Sequence, residues 1–285
     1  MFLMTSCGKA PEDVIESVSE TTSETTVERI MMSTEIGQNS IPEIEYSISK
    51  PIFEMTDSTS KEITFYRDGK PILGRITYPE GKGPFKTIVI SSGLYAAFGR
   101  YYSKALKYSE YGYAVIEFQF QNGTPPPSYD DPEYLGDYVF DEILDLYAVI
   151  DSLAYIPNVD TSNIYLYGHS MGGLVTAYVG TLRQKEIRGL ILVDPSFYAS
   201  YAMNFEKEEK ITTDIYSLIT ECRIPVVIIT GTAGSFGEDP TFFDEERKAF
   251  PNCEYVVIEG ANHRMDGEAG EMVVEKSVEV MKRWK

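Results

Sequence analysis

Basic residues are scarce in this sequence. Lys and Arg together number 25 against 44 Asp and Glu, a formal net charge of −19. A surface this acidic repels phosphate backbones and anionic headgroups, which argues against nucleic acid as a partner. Cysteine is limited to three residues, too few for a disulfide framework. No run of about 18 apolar residues occurs, so no segment is long enough to cross a bilayer as a helix. Glycine, at 22 residues with no triplet period, and the lack of a long heptad array exclude collagen-like and coiled-coil architectures. Histidine is limited to two residues, so any chemistry that needs an imidazole has little choice.

What is there is 285 residues, 43% hydrophobic, enough for one sizeable core. Two regions differ in kind. Residues 1–60 read as an N-terminal anchor and flexible tether, because the stretch 17–26 is dominated by Ser and Thr with Glu20 and Glu24 between them. Ahead of it, Phe2-Leu3-Met4-Thr5-Ser6-Cys7-Gly8 runs from a short apolar piece through small residues to Cys. This segment resembles the cleavage and lipidation box of bacterial lipoproteins, which implies membrane attachment through a lipidated Cys7 and an extracytoplasmic location. No Lys or Arg precedes Cys7, and three apolar residues fall short of a full signal core. The alternative is an ordinary Cys7 in the tail of a cytoplasmic protein. Residues 41–60 remain polar and suit a short strand or a linker.

Residues 61–285 read as one α/β domain. Segments 62–66 and 72–78 alternate around Asp68-Gly69, a hairpin turn signal. Continuous apolar runs at 87–90, 114–118, 164–167, 190–193, 226–229 and 255–258 suit strands buried on both faces. Helical stretches at 101–111, 138–153, 174–183 and 271–283 lie between and after them. The pattern predicts a mostly parallel, eight-stranded sheet covered by helices on both faces.

The pentapeptide Gly168-His169-Ser170-Met171-Gly172 falls directly after a buried strand and before a helix. A Ser at so sharp a turn takes a strained backbone, and Gly two residues away on either side permits the close approach. Ser170 is thereby lifted clear of the sheet, and the Met171 amide sits at a helix N-terminus, where it can stabilise an oxyanion. A Ser hydroxyl needs a base. His169 lies inside the turn with its side chain directed away, under neighbouring loops. His263 lies just beyond the last strand, at the edge from which it can reach Ser170.

These features together resemble the α/β-hydrolase fold family over residues 61–285. The resemblance implies a Ser–acid–His triad, acyl transfer to water through an acyl-enzyme, and a second oxyanion amide from the loop after the first central strand. That loop reads Ser91-Ser92-Gly93-Leu94-Tyr95, so by position the amide is that of Leu94 or Tyr95. For the acid, the position three residues after Gly231 is Gly234, which cannot serve. Asp239, before Pro240, is the first choice; Asp194, at the tip of the sixth strand of the domain, is the alternative, and Glu238 a third. Against a catalytic role, Asp239 suits a helix cap and Asp194 a hydrogen-bonded loop residue.

Tyr95, Phe98, Tyr101 and Tyr102 lie near the oxyanion loop and suit either a pocket wall or core packing. Segment 197–216 suits a small lid, and 121–131 a second rim element. Cys222 and Cys253 precede neighbouring strands, as a disulfide in an exported protein or as two buried thiols. No metal-ligand spacing and no phosphate-cradling loop occurs, so no cofactor is implied. The reading is a serine hydrolase acting on a small-molecule ester, with a peptidase or amidase of the same fold, or a non-catalytic binding protein, as alternatives.

Overall fold

A computed structural model describes residues 27–36, 39–55, 59–94, 96–122, 132–199 and 215–284. Its strands are β1 (Val27–Ile36), β2 (Asn39–Ser49), β3 (Ile52–Met55), β4 (Ser60–Arg67), β5 (Lys70–Thr77), β6 (Phe85–Ser91), β7 (Ala114–Phe118), β8 (Val159–His169), β9 (Ile187–Val193), β10 (Val226–Gly231) and β11 (Cys253–Ile258). The helices are α1 (Tyr102–Glu110), α2 (Pro132–Ser152), α3 (Met171–Leu182), α4 (Ile215–Ile219), α5 (Asp244–Ala249) and α6 (Glu268–Met281).

All strands belong to one sheet in the order β1-β2-β4-β5-β7-β6-β8-β9-β10-β11, with β3 paired to β4. The eight strands from β4 onward are those that the alternating hairpin segments and the six apolar runs predict. Those from β7 to β11 pair in parallel, and β4 and β5 form the antiparallel hairpin. Asp68 and Gly69 both have positive φ (51° and 73°), the twist that a two-residue hairpin turn requires.

The continuous apolar runs bury both faces of the sheet. Val89, Leu166, Leu192 and Ile228 join α2 and α3 in one core, while their neighbours Ile88, Ile90, Tyr167, Ile191 and Ile229 join α1 and α6 in the other. A side-chain period of two makes each such strand contribute to both layers.

The tether expected over residues 1–60 does not hold for residues 27–36 and 39–55, which form strands. β1, β2 and β3 extend the sheet, and Tyr46 and Ile48 are buried in the same core as α2. Tyr46 also donates its hydroxyl proton to Asp151. These strands escape a composition-based reading because their order comes from pairing at a sheet edge, with only a few residues reaching the core. Cys7 and the Ser/Thr-rich stretch lie outside the described residues, as do most of the lid and rim segments.

Candidate active site

The parallel ladders run in step to one edge of the sheet. Ser91 pairs with Gly168, Gly168 with Leu192, Val193 with Ile229, and Gly231 with Ile258. The segments that follow these pairs leave the sheet side by side at its carboxyl edge, where open α/β sheets place their sites.

Ser170 is the N-cap of α3, with φ 55° and ψ −122°, a backbone that side-chain-bearing residues rarely adopt. The surroundings over-determine it. The Ser170 amide donates to the Val193 carbonyl, and the Ser170 carbonyl accepts from the amides of Gly173 and Ser196. The flanking glycines are required by contact: a Cβ at Gly168 would lie 2.2 Å from the Gly172 carbonyl oxygen, and one at Gly172 would lie 2.4 Å from those of Ser91 and Ser92.

His263 reaches this turn from the loop after β11. Its Nδ1 lies 3.0 Å from Asp194 Oδ2 and its Nε2 lies 3.1 Å from Ser170 Oγ. A carboxylate can only accept, so Nδ1 carries the proton and Nε2 is left to accept from the Ser170 hydroxyl.

Asp194 is 0% exposed and follows β9 directly, with φ 41°. Its amide donates 2.9 Å to the Ile229 carbonyl, fixing the turn. Thr230 Oγ1 donates to one carboxylate oxygen, and Ser235 Oγ donates to the other. Ser235 Oγ in turn accepts from the Gly231 and Gly237 amides. The Asp194 carboxyl group is thus held by donors on the neighbouring β10 and its loop, which offset the cost of burying it.

Asp239, the first choice from the sequence, does not meet His263. Its carboxylate accepts from the Thr241 amide and hydroxyl at 2.9 and 2.7 Å, and those bonds hold it below the usual range. It closes a local turn at the surface. Glu238 likewise turns inward on its own loop, accepting from the Gly234 amide. The loop after β10 contributes Ser235, a hydrogen-bond partner of the Asp194 carboxylate, and neither Asp239 nor Glu238 reaches His263.

Residues 82–221 match the Hydrolase_4 family, described as serine aminopeptidase, S33. No curated protein sequence matches. Solved structures agree across most of the chain. Est1E from Butyrivibrio proteoclasticus, solved with ferulic acid, is 17% identical with a TM-score of 0.59, over 76% of this chain and 96% of its own. An acetyl xylan esterase from Paenibacillus sp. R4 is 14% identical with a TM-score of 0.61, over 82% and 89%. Acetyl xylan esterase 1 from Thermoanaerobacterium sp. JW/SL YS485 is 14% identical with a TM-score of 0.56, over 81% and 88%. The chain has the α/β-hydrolase fold. At these identities the likeness to the solved structures is one of fold.

Within this α/β-hydrolase fold, the loop after β6 lies directly on the turn that carries Ser170. A Cβ at Gly93 would meet Ser170 Cβ and His169 Nδ1, both at 3.1 Å. The Gly93 amide is engaged by Tyr101 Oη at 3.0 Å, so the next amide in the loop is that of Leu94. Met171, the first residue of α3, has an amide with no partner inside the helix. Tyr95 lies outside the described residues.

His169 points under the loops, as its place in the pentapeptide predicts, and is 5% exposed. Burial pushes its imidazole down to about 3. Of the aromatics that suit either a pocket wall or packing, Phe98, Tyr101 and Tyr102 pack. Tyr101 is buried and hydrogen-bonded to His169, while Phe98 and Tyr102 carry the Arg75 guanidinium over their rings. The rings beside His263 come instead from Phe236, 4.6 Å away between centroids, which is flanked by Tyr198 and Phe242. Tyr198 is 47% exposed and Phe242 38%.

Ser196, Thr230, Ser235 and Phe236 carry no pattern that the sequence could have signalled. Ser196 places its Oγ 3.2 Å from that of Ser170, Thr230 and Ser235 reach the site through hydrogen bonds to Asp194, and Phe236 through its ring against His263. Among the described residues no cluster of His, Cys, Asp and Glu is arranged to hold a metal, and Cys222 and Cys253 are free thiols.

Proposed function

We propose that this protein is a serine hydrolase that cleaves a carboxylic ester by way of an acyl-enzyme. The observation that carries the proposal is the two-bond relay from Asp194 through His263 to Ser170. In the reaction, Ser170 Oγ attacks the ester carbonyl as its proton passes to His263 Nε2. Asp194 stabilises the imidazolium, and the amides of Met171 and Leu94 take the oxyanion. The tetrahedral intermediate collapses as His263 returns its proton to the departing alkoxide. Water then repeats the sequence on the acyl-enzyme and restores Ser170.

The ring shelf of Tyr198, Phe236 and Phe242 supports a substrate with an apolar or ring-bearing group beside the scissile bond. Phe236→Ala should raise KM severalfold for a benzoyl ester while leaving that for an acetyl ester within about twofold, given that aromatic contacts are worth on the order of 1 kcal/mol. The family match to serine aminopeptidases favours a second reading, in which the leaving group is an amine.

One experiment separates these readings. Fluorophosphonate labelling establishes whether Ser170 is activated at all. A panel of esters set beside aminoacyl amides then compares kcat/KM, with ester turnover dominant if the first reading holds. Absence of labelling at neutral pH would sink both. Attachment to a membrane through a lipidated Cys7 is a separate proposal, resting on the segment 2–8.

A further inference from the structure

The loop that carries His263 is irregular, with Gly260 and Met265 both at positive φ, so a strand ladder does not hold its carbonyls. Three successive carbonyls of this loop are instead captured by side chains from outside it. The His263 carbonyl accepts from His169 Nε2 at 2.6 Å, that of Arg264 from Arg100 Nη2 at 3.3 Å, and that of Met265 from Lys104 Nζ at 2.7 Å. Arg100 and Lys104 belong to α1 and the turn before it, which follow the oxyanion loop.

Tyr101 closes the connection. Its oxygen accepts from the Gly93 amide at 3.0 Å, and it lies 2.9 Å from His169 Nδ1. The proton positions along this chain follow from its ends. An amide can only donate and a carbonyl can only accept, so Tyr101 donates to Nδ1 and His169 donates from Nε2. Burial keeps both groups neutral, lowering His169 to about 3 and raising Tyr101 to about 12. The chain of bonds therefore keeps one direction throughout the neutral range. Lys104 is buried beside it, 5.7 Å from the Tyr101 ring centroid.

We propose that Tyr101 and His169, assisted by Lys104, are positioning residues that tie the backbone of the base His263 to the oxyanion loop at Gly93, so that the two move as one unit. The inference rests on the serine hydrolase reading, because it assigns what those two loops must hold in place. Neither Tyr101 nor His169 touches the reacting atoms. Their effect is through geometry, to which acyl transfer is sensitive at the scale of an ångström.

The test compares Tyr101→Phe, which deletes only the bridging oxygen, with His169→Asn and His169→Gln. Asn retains a polar group near Nδ1, whereas Gln extends a donor toward the His263 carbonyl. For each, kcat and KM on p-nitrophenyl acetate, the rate of fluorophosphonate labelling and Tm are measured. Tyr101→Phe and His169→Asn should lower kcat and the labelling rate together by about 10- to 100-fold, with KM within about threefold. His169→Gln should recover most of the kcat lost in His169→Asn.

A fall in Tm with kcat per folded molecule unchanged in both Tyr101→Phe and His169→Asn would reduce the network to a structural brace and overturn the proposal. Tyr101→Phe conserves the ring, so it decides the matter alone if the histidine variants do not fold. A wild type that neither labels nor turns over ester overturns the hydrolase reading and this inference with it, an outcome distinct from the first.

Discussion

At the residue scale, the carboxylate beside His263 is decided by where rigid backbone ends. Asp194 emerges from a buried strand tip and receives hydrogen bonds from Thr230, Ser235 and His263. Asp239 is held by Thr241 in a turn of its own. Asp194→Asn should therefore lower ester turnover by around 10⁴, because the amide removes the charge that stabilises the imidazolium and favours the wrong tautomer. Asp239→Asn should leave kcat/KM within about twofold, within the range of an exposed surface change. Steady-state kinetics of the two variants checks both, and the reverse order would move the acid to the loop after β10. Ser170→Ala should abolish fluorophosphonate labelling with little change in Tm, since its hydroxyl serves the relay and its small side chain fills no core volume.

At the element scale, α2 buries acids against the first strands of the hairpin. Glu142 is buried and raised well above its ordinary range, first by desolvation and then by the charge of Asp145. Asp145, at 2.8 Å from Arg67 Nε, is raised to about 7, burial outweighing the guanidinium and the Gln121 amide. A raised folded value means that the native state keeps protons that the unfolded chain releases. The stabilisation is complete below the unfolded value near 4 and is lost as pH rises through the folded one. Wild-type Tm should accordingly fall between about pH 5 and pH 8. Glu142→Gln, which cannot ionise, should show a shallower fall, so that its Tm relative to wild type grows toward pH 8. A difference in Tm that is flat or shrinks across that range would contradict the assignment.

At the scale of the whole molecule, the described sheet begins earlier in the chain than composition suggests, at Val27 in place of a boundary near residue 60. β2 sends Tyr46 and Ile48 into the core over α2, and loss of either large side chain from a core typically costs about 2–5 kcal/mol. A chain beginning at residue 27 should unfold with the Tm of the full protein and retain ester turnover. One beginning at residue 59 should unfold at markedly lower temperature, by calorimetry, because it exposes the α2 face. The proposal for Cys7 is tested at the same scale. The full protein, expressed in its own host from its native upstream sequence, should fractionate with membranes, and Cys7→Ser should release it. Recovery of the wild type wholly in the cytosolic fraction would end that proposal.

The sequence by itself determined the layered α/β fold, the eight central strands, the hairpin at Asp68-Gly69 and the turn around Ser170. Each is written in local terms: a buried run, a turn dipeptide, or glycines at fixed spacing around one Ser. With two histidines in the chain, it also narrowed the base to His263. Only tertiary structure put Asp194, and not Asp239, beside His263, because that depends on which loop faces the imidazole across the sheet edge. The same holds for Ser235, Phe236 and the link from Gly93 through Tyr101 to His169. Asp194 lies 41 residues from Ser235 and His169 lies 68 from Tyr101, and a contact across such a separation has no periodicity for a sequence to display. The pairing of β1 and β2 at the sheet edge was hidden for a related reason: backbone ladders need a neighbouring strand, and side-chain composition records them weakly.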